Sequence, residues 1–489
     1  MSTAIVWLRR DLRVRDHPAL RAAGERVVPL FVVDPALVAR APAPRATFLA
    51  GCLAALDGEL RERGGRLVVR HGRPERVLPD LAREVGAAVA HWTADASPVG
   101  RSRDGRVAAA LEDAGIAWRA HPGQYVVDPD ALRTGAGGPY RTFTPFGRSW
   151  AGAPRRTIVD APSSLVVPRV AGDGLPTAGD LTGPAPWSGP VARDWSRPLP
   201  TPVVEPGEEA GLRAARAWLD GPLERYADER DRLDDGRAVD HAAHRAFGGS
   251  SGLSAHLRFG TVSAAWLERR ADRMGGEGAA AFVRQLAWRD FFAHVYRAFP
   301  DDRGREHQER YRALRWEDDD EALEAWCAGR TGYPLVDAGM RQLAATGWMP
   351  NRVRMVVGSF LTKDLHLDWR LGERWFWSRL LDADPPQNDG NWQWIASVGV
   401  DPKPYFQRLF NPVLQQRRFD PHGHYVRRWV PELADVPDAS LAEPWRMTDA
   451  EQAVAHCRIG PDYPAPIVDH AEEREHAAMR YREAAAWER

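Results

Sequence analysis

Residues 151 to 210 carry 11 prolines and little periodicity. Proline fixes φ and removes a backbone donor, so neither a long helix nor a central strand can run through such a stretch. The chain is therefore cut into units that must close separate cores, as expected for 489 residues, more than one core usually organises. The two sides of the cut read differently. Before it, AIVWL (4–8), VVPLFVV (27–33), RLVV (66–69), AAVAHW (87–92) and IAWRA (116–120) read as strands. Between them Phe48, Cys52, Leu56 and Leu60 recur every four residues as one face of a helix. This alternation predicts a doubly wound parallel sheet, an α/β fold with helices on both faces. After the cut nearly everything has helical period, and no internal repeat is visible. The expected organisation is an α/β domain over 1–130, a long surface linker over 131–205, an all-α domain over 206–475 and a tail over 476–489.

Several function classes are excluded or disfavoured early. No run of 18 or more apolar residues occurs, and the opening MSTAIVWLRRDLRVRDHPAL lacks the apolar stretch of a signal peptide. A cytoplasmic protein with no membrane partner is expected. Cys52, Cys327 and Cys457 are far apart and follow no ligand spacing, which argues against a disulfide framework, a zinc site or an iron–sulfur cluster. No metal is expected. The net charge of −1 rules out a polycation, yet residues 341–430 hold 11 Arg and 2 Lys against 8 Asp plus Glu, a local net of +5. Any nucleic acid should lie there. Lys363 and Lys403 are the only lysines among 66 basic residues, and the arginine excess reads as codon bias. The first strand runs into RRDLRVRDH without a G-x-G-x-x-G turn, so a large nucleotide cofactor should bind elsewhere.

Four stretches could carry chemistry. GGSSGLSAHLRFGTVS (248–263) puts glycines and hydroxyls at the mouth of a helix, where backbone N–H donors and the helix dipole suit phosphates. In FVRQLAWRDFFAHVY (282–296), Gln285, Trp288 and Phe292 share one helical face, with Arg289 beside them. In WMPNRVRMVVGSFLTKDLHLDWR (348–370), Val353, Val356, Val357, Phe360 and Leu361 form a core stripe, while Asn351, Arg354 and Met355 cluster elsewhere, as a pocket wall would. LLDADPPQNDGNWQWIASVG (380–399) has almost no helical or strand periodicity. Asp382 and Asp384 could be metal ligands, but with no third ligand adjacent they read better as acceptors for a polar ligand. Trp392 and Trp394 should project differently, one inward and one toward a cavity. The chain has 20 Trp against 10 Tyr and 15 Phe, an excess that packing alone does not require.

These motifs, with IVWLRRDLRVRDHPAL, TGYPLVDAGMRQL and YPAPIVDH, resemble the photolyase and cryptochrome flavoproteins over nearly the whole chain, most closely the bacterial class I cyclobutane pyrimidine dimer photolyases. The resemblance implies FAD folded into a U inside the helical domain. It assigns the FAD phosphates to Tyr226 and the turn Ser250, Ser251, Gly252, Leu253 and Ser254. Phe282, where many relatives have tryptophan, Arg289, Arg354, Asp382, Ala383 and Asp384 line the rest, Arg354 pairing with Asp382. Asn388 matches the position facing flavin N5, where an amide is typical of photolyases and an aspartate of plant cryptochromes. Trp392, Trp369 and Trp316 match an electron-hopping chain from flavin to surface. Trp288 and Trp394 match the walls of a pocket for a flipped-out dimer, lined by Gln285, Asn351 and Met355, and Arg230 and Arg352 match DNA-phosphate contacts.

The implied reaction is light-driven, redox-neutral repair of pyrimidine dimers in DNA by electron transfer from reduced FAD. Two departures stand out: Gln285 replaces the usual glutamate, which an amide can imitate as hydrogen-bond donor but not as acid, and Pro350 replaces a common histidine. The rivals are a cryptochrome photoreceptor, a (6-4) photoproduct photolyase and a dark FAD oxidoreductase. Asn388 and the Trp288–Trp394 pair argue against the first, Asn351 in place of a histidine acid against the second, and the lack of a hydride-donor site against the third. The α/β domain resembles one that holds an antenna chromophore. DPALVARAPAPRATFLAGCL (34–53) looks more like the 8-hydroxy-deazaflavin group than the methenyltetrahydrofolate or second-flavin groups. A monomer is expected.

Overall fold

In the computed structural model, which describes residues 2–233, 247–401 and 403–486, the N-terminal part is a five-stranded parallel sheet, β1 (Thr3–Leu8), β2 (Val27–Val33), β3 (Val68–His71), β4 (Ala87–Thr93) and β5 (Ala117–His121). Its order is β3-β2-β1-β4-β5. Parallel strands need crossovers, and these are helices such as α1 (Ala43–Arg61), α2 (Pro74–Val85) and α3 (Pro98–Asp113). Alternate residues of one strand serve opposite faces. Ile5 and Trp7 pack with Leu78, Leu81, Val107 and Leu111, from α2 and α3. Val6 and Leu8 pack with Phe48, Cys52, Leu56 and Leu60 of α1, the face read from their spacing. That second cluster also holds Phe247, Trp348 and Leu381, so one apolar core continues from the sheet into the helical half.

The proline-rich stretch is not wholly irregular. Helix α4 (Phe143–Gly152) lies inside the segment expected as linker, with Phe146 and Trp150 buried. It docks on the long helix α5 (Gly276–Ala298). Asp290 of α5 accepts from Val126 N (3.1 Å), Val127 N (2.9 Å) and Trp150 Nε1 (2.9 Å) through one oxygen. The segment is thus pinned by a buried carboxylate, whose pKa burial pushes up to about 6.

The helical half is built round a large core in which Val353, Val356, Val357, Phe360 and Leu361 are fully buried, as their stripe predicts. Four elements position the site: α6 (Asn351–Ser359), the π-helical turn Phe360–Asp364, α7 (Trp369–Arg379) and α8 (Pro385–Ile395). Here the structure corrects the sequence reading. Residues 380–384 are irregular, but 385–395 form a helix in which Pro385 and Pro386 occupy the first turn, where a missing N–H costs nothing. The expected boundary at 475 also shifts, because α9 (His470–Ala486) runs through it. Cys52, Cys327 and Cys457 are free and buried. Among the described residues no helix is long and apolar enough to cross a membrane.

Candidate functional site

A cavity of about 580 Å³ opens between α5, α6, α7, α8 and the turn before Ser254, a volume within the roughly 300–1,000 Å³ of small-molecule sites. It gathers residues scattered over 170 positions of sequence. Of those that the resemblance assigns to FAD, Tyr226, Ser250, Ser251, Ser254, Phe282, Arg289, Arg354, Asp382, Ala383, Asp384 and Asn388 line it. Gly252 and Leu253 support the turn from beneath. Gly252 has φ +68°, and a Cβ there would meet the Phe247 ring at 2.5 Å, so only glycine fits both conformation and space; Leu253 is core. Of the expected lesion contacts, Arg230, Gln285, Trp288, Asn351, Arg352, Met355 and Trp394 all line the cavity.

The floor is strongly polar. Arg354 donates from both Nη atoms to both Asp382 oxygens (3.2 and 2.9 Å) and from Nε to Met349 O (2.9 Å). This two-pronged pairing fixes the carboxylate's plane. Asp384 is 2 % exposed; one oxygen accepts from Arg10 Nη2 at 2.7 Å. Its other oxygen, Ser254 Oγ and Trp392 Nε1 are buried with no partner among the described residues. Buried polar atoms need partners, so this wall is shaped for a ligand with donors and acceptors of its own. Arg230, Arg258, Arg289, Arg352 and Arg354 line it together with Asp231, Asp382 and Asp384, a net of +2 that suits anionic ligands. With Phe282 and Tyr226 as an aromatic wall (centroids 5.6 Å apart), the residues present fit a flavin dinucleotide.

Three contributors lie outside the sequence reading. Arg258 donates to Ala383 O at 2.8 Å, its pKa lowered to about 10 by burial and by neighbouring Arg10. Arg10 reaches Asp384 from the end of β1, 374 residues away. Gln387 donates to Arg289 O at 2.8 Å, tying α8 to α5. Arg258 and Arg10 both stand in motifs that carry the resemblance, but nothing local announces their partners.

Asn388 is buried, and its Nδ2 donates to Glu373 O at 3.0 Å. Oδ1 thereby remains an acceptor, and Asn388 lines the cavity. Behind it stand two acids. Burial first, then repulsion from Asp389, raises Glu373 to about 8; burial likewise raises Asp389 to about 6, although Gly304 N and Gln393 Nε2 donate to it.

At the rim Trp288 is stacked flat on Phe143 (3.8 Å, 6°), so one ring face is already covered. Trp394 donates to Asp401 Oδ2 (3.2 Å) and carries the Arg408 guanidinium over its ring at 4.2 Å. Trp392 turns inward, 3 % exposed, as the sequence reading expects of one of the pair. Its neighbours are Phe376 (4.9 Å) and Gly372, one turn from Trp369 along α7. Trp369 is fully buried and donates to Glu306 at 3.2 Å. Trp316 is half-buried and precedes Glu317, which bridges Leu367, two residues from Trp369. Of the three indoles, Trp392 lines the cavity, Trp369 is core and Trp316 is half-buried. Arg230 is exposed, but Arg352 pairs with Asp231 at 2.6 Å and lies over Phe419; it is not a freely extended cation. A larger cavity, about 1210 Å³, opens against α9 and contains none of these residues.

Comparison with known proteins agrees with this geometry. Residues 4–163 match the family described as DNA photolyase, and residues 282–483 match the FAD binding domain of DNA photolyase. A deoxyribodipyrimidine photo-lyase of Streptomyces griseus is 43 % identical, the match covering 97 % of this chain and 98 % of the relative. A bacterial class III photolyase of Agrobacterium tumefaciens has a TM-score of 0.87 at 36 % identity, over 99 % of this chain and 98 % of that one. A Synechocystis cryptochrome has a TM-score of 0.85 at 28 % identity, over 98 % and 99 %.

Proposed function

The chain belongs to the DNA photolyase family, and from that premise we propose that it is a light-dependent lyase that repairs cyclobutane pyrimidine dimers in DNA. The observation that carries this reading is one cavity whose floor is the Arg354–Asp382 and Asp384 cluster and whose mouth is walled by Trp288 and Trp394. Reduced FAD, when bound there, supplies the photoexcited electron and takes it back. The residues supply geometry, dryness and charge. Arg354, held by Asp382 and Met349 O, and Arg258 and Arg289 face the cofactor's anionic part, while Ser254 Oγ and the second oxygen of Asp384 offer it polar contacts. Asn388, anchored through Nδ2, presents an acceptor for a ligand N–H and has no acidic proton to give. Trp392, Trp369 and Trp316 provide a path by which the oxidised cofactor is re-reduced.

A dimer stacks and pairs poorly, so extruding it from the duplex costs less than extruding a normal base. Trp394, braced by Arg408 and Asp401, and Trp288, backed by Phe143, are rigid walls for it. Gln285 donates to a pyrimidine carbonyl, and Met355 packs on the apolar edge. Arg230 and the basic stretch 341–430 meet the DNA backbone. The cryptochrome likeness shows that the fold alone does not choose between repair and sensing; Asn388 and the tryptophan walls favour repair. A second, antenna chromophore belongs to the reading, 8-hydroxy-deazaflavin before methenyltetrahydrofolate. The protein acts in the cytoplasm as a monomer.

The test is direct. Purified holoprotein with ultraviolet-irradiated oligo(dT) should restore thymine absorbance under blue light and not in the dark; no light-dependent recovery refutes the repair function. Absorption and mass spectra of extracted chromophores identify the antenna.

A further inference from the structure

A cavity of about 1210 Å³ lies between α9, the π-helical turn and residues 313–325, away from the site just described. On its wall His366 Nε2 and His476 Nδ1 point at the same oxygen of Glu473, at 2.8 and 3.0 Å. The three ligand atoms lie within 4.8 Å of one another. Glu473 and His476 are three apart on α9 and so share a face. His366 is delivered by unusual backbone. It follows the π-helical turn and holds φ at +53°, a conformation a non-glycine residue adopts at a cost. Glu317 N donates to its carbonyl (2.9 Å), and Leu367 N returns to Leu361 O (3.0 Å).

Two independent features favour a cation. The wall carries Glu317, Asp319, Glu321, Asp364, Glu473 and Glu483 against Arg315 and Arg480, a net of −4 before the histidines. Asp364, 1 % exposed and part of the cavity lining, has one oxygen with no hydrogen-bond partner among the described residues; its other oxygen pairs with His470. We propose that His366, Glu473 and His476 form a binding site for a divalent transition metal of the Zn²⁺, Co²⁺ or Ni²⁺ class. Two imidazole nitrogens and one carboxylate oxygen are the donor set such ions take, leaving a position for water. The cation takes the place of the hydrogen bonds that now join the imidazoles to Glu473, each ring binding through the lone pair of its neutral form. Its effect is structural: it lashes α9 to the turn between Asp364 and Trp369. The separation of 107 positions between His366 and Glu473 explains why ligand spacing in the sequence points to no metal. This inference does not depend on the repair function.

The test uses the FAD-loaded full chain, free of any histidine tag and dialysed against a chelator, titrated with Zn²⁺ alone by calorimetry. One equivalent should bind and raise the unfolding temperature. His476→Ala, a change at an exposed position, and Glu473→Gln should each weaken binding at least tenfold, with the fold of the untitrated variants checked by circular dichroism. No stoichiometric binding to the parent protein, or binding undiminished in both variants, overturns the site.

Discussion

Gly372→Ala tests the closest approach behind the cavity. A Cβ at Gly372 would lie 2.1 Å from Trp392 Cη2, 2.5 Å from Cζ3 and 2.6 Å from Leu361 Cδ2. Carbon atoms pack best at about 3.5–4.0 Å, so the indole must retreat by more than about 1 Å. It has little room: Trp392 is 3 % exposed, with Phe376 at 4.9 Å and Trp326 at 6.3 Å. Two effects oppose. Alanine in a helix interior is favoured over glycine by about 1 kcal/mol, whereas overpacking a tight core costs about 1–3 kcal/mol. A 2.1 Å overlap against a rigid ring belongs at the upper end, so the net expectation is a loss of about 1–2 kcal/mol. Because Trp392 Nε1 has no hydrogen-bond partner among the described residues, packing sets the ring's position, and displacement should also slow light-driven reduction of the bound oxidised flavin. Urea unfolding of the FAD-loaded protein reads the first effect and photoreduction under blue light the second. Repair by enzyme already reduced chemically should suffer less. A variant more stable than its parent, with normal photoreduction, would refute both the tight contact and the relay through Trp392.

Glu373 is protonated more readily in the folded protein, its value near 8 against an ordinary 4.5. Its stabilising contribution is therefore complete below about 4.5 and lost as pH rises through 8. Glu373→Gln, a copy of the neutral acid, should flatten the fall in stability across that window, as read by urea midpoints; an unchanged slope contradicts the assignment. Arg230→Ala should weaken binding to damaged duplex and reduce the salt slope by about 1. Arg352→Ala should reduce it less, since Asp231 already neutralises that guanidinium; anisotropy over a salt series separates the two. Lys363 is fully buried and donates to Ile395 O (2.6 Å) and Arg408 O (2.8 Å), and burial holds its pKa well below the usual lysine value. An arginine cannot shed its proton there, so Lys363→Arg should cost about 3 kcal/mol or more in urea unfolding; a loss under about 0.5 kcal/mol, typical of surface changes, would show that lysine is not required.

Lys363 also shows where composition stops being informative. Almost every basic position is arginine, a bias with no structural meaning at most sites, and one of two surviving lysines proves to be a core residue tying α8 to the segment that braces Trp394. What the sequence made legible was whatever repeats locally. All five strands appear at or within two residues of the runs read as strands; β1 and β2 are buried along their length, as near-continuous apolar runs require, while β5 is an exposed edge. The stripe from Val353 to Leu361 is core, and Gln285, Trp288 and Phe292 do share the cavity wall. Helix α8 was hidden for the opposite reason. It is enclosed on nearly every side, with Asn388, Asp389, Trp392, Gln393 and Ile395 all buried, so it has no polar stripe to reveal its period. Contacts between distant segments were hidden altogether. The Arg354–Asp382 pair came from resemblance, not spacing, while Arg10 on Asp384 and Glu473 beside His366 came from neither. Each joins charged groups that local sequence treats as solvated surface. Their cost of burial is tolerable only because the fold supplies the partner, and that partner is fixed by how the sheet and the helical core meet. Periodicity thus determines the layers, and the chemistry sits where layers from distant parts of the chain touch.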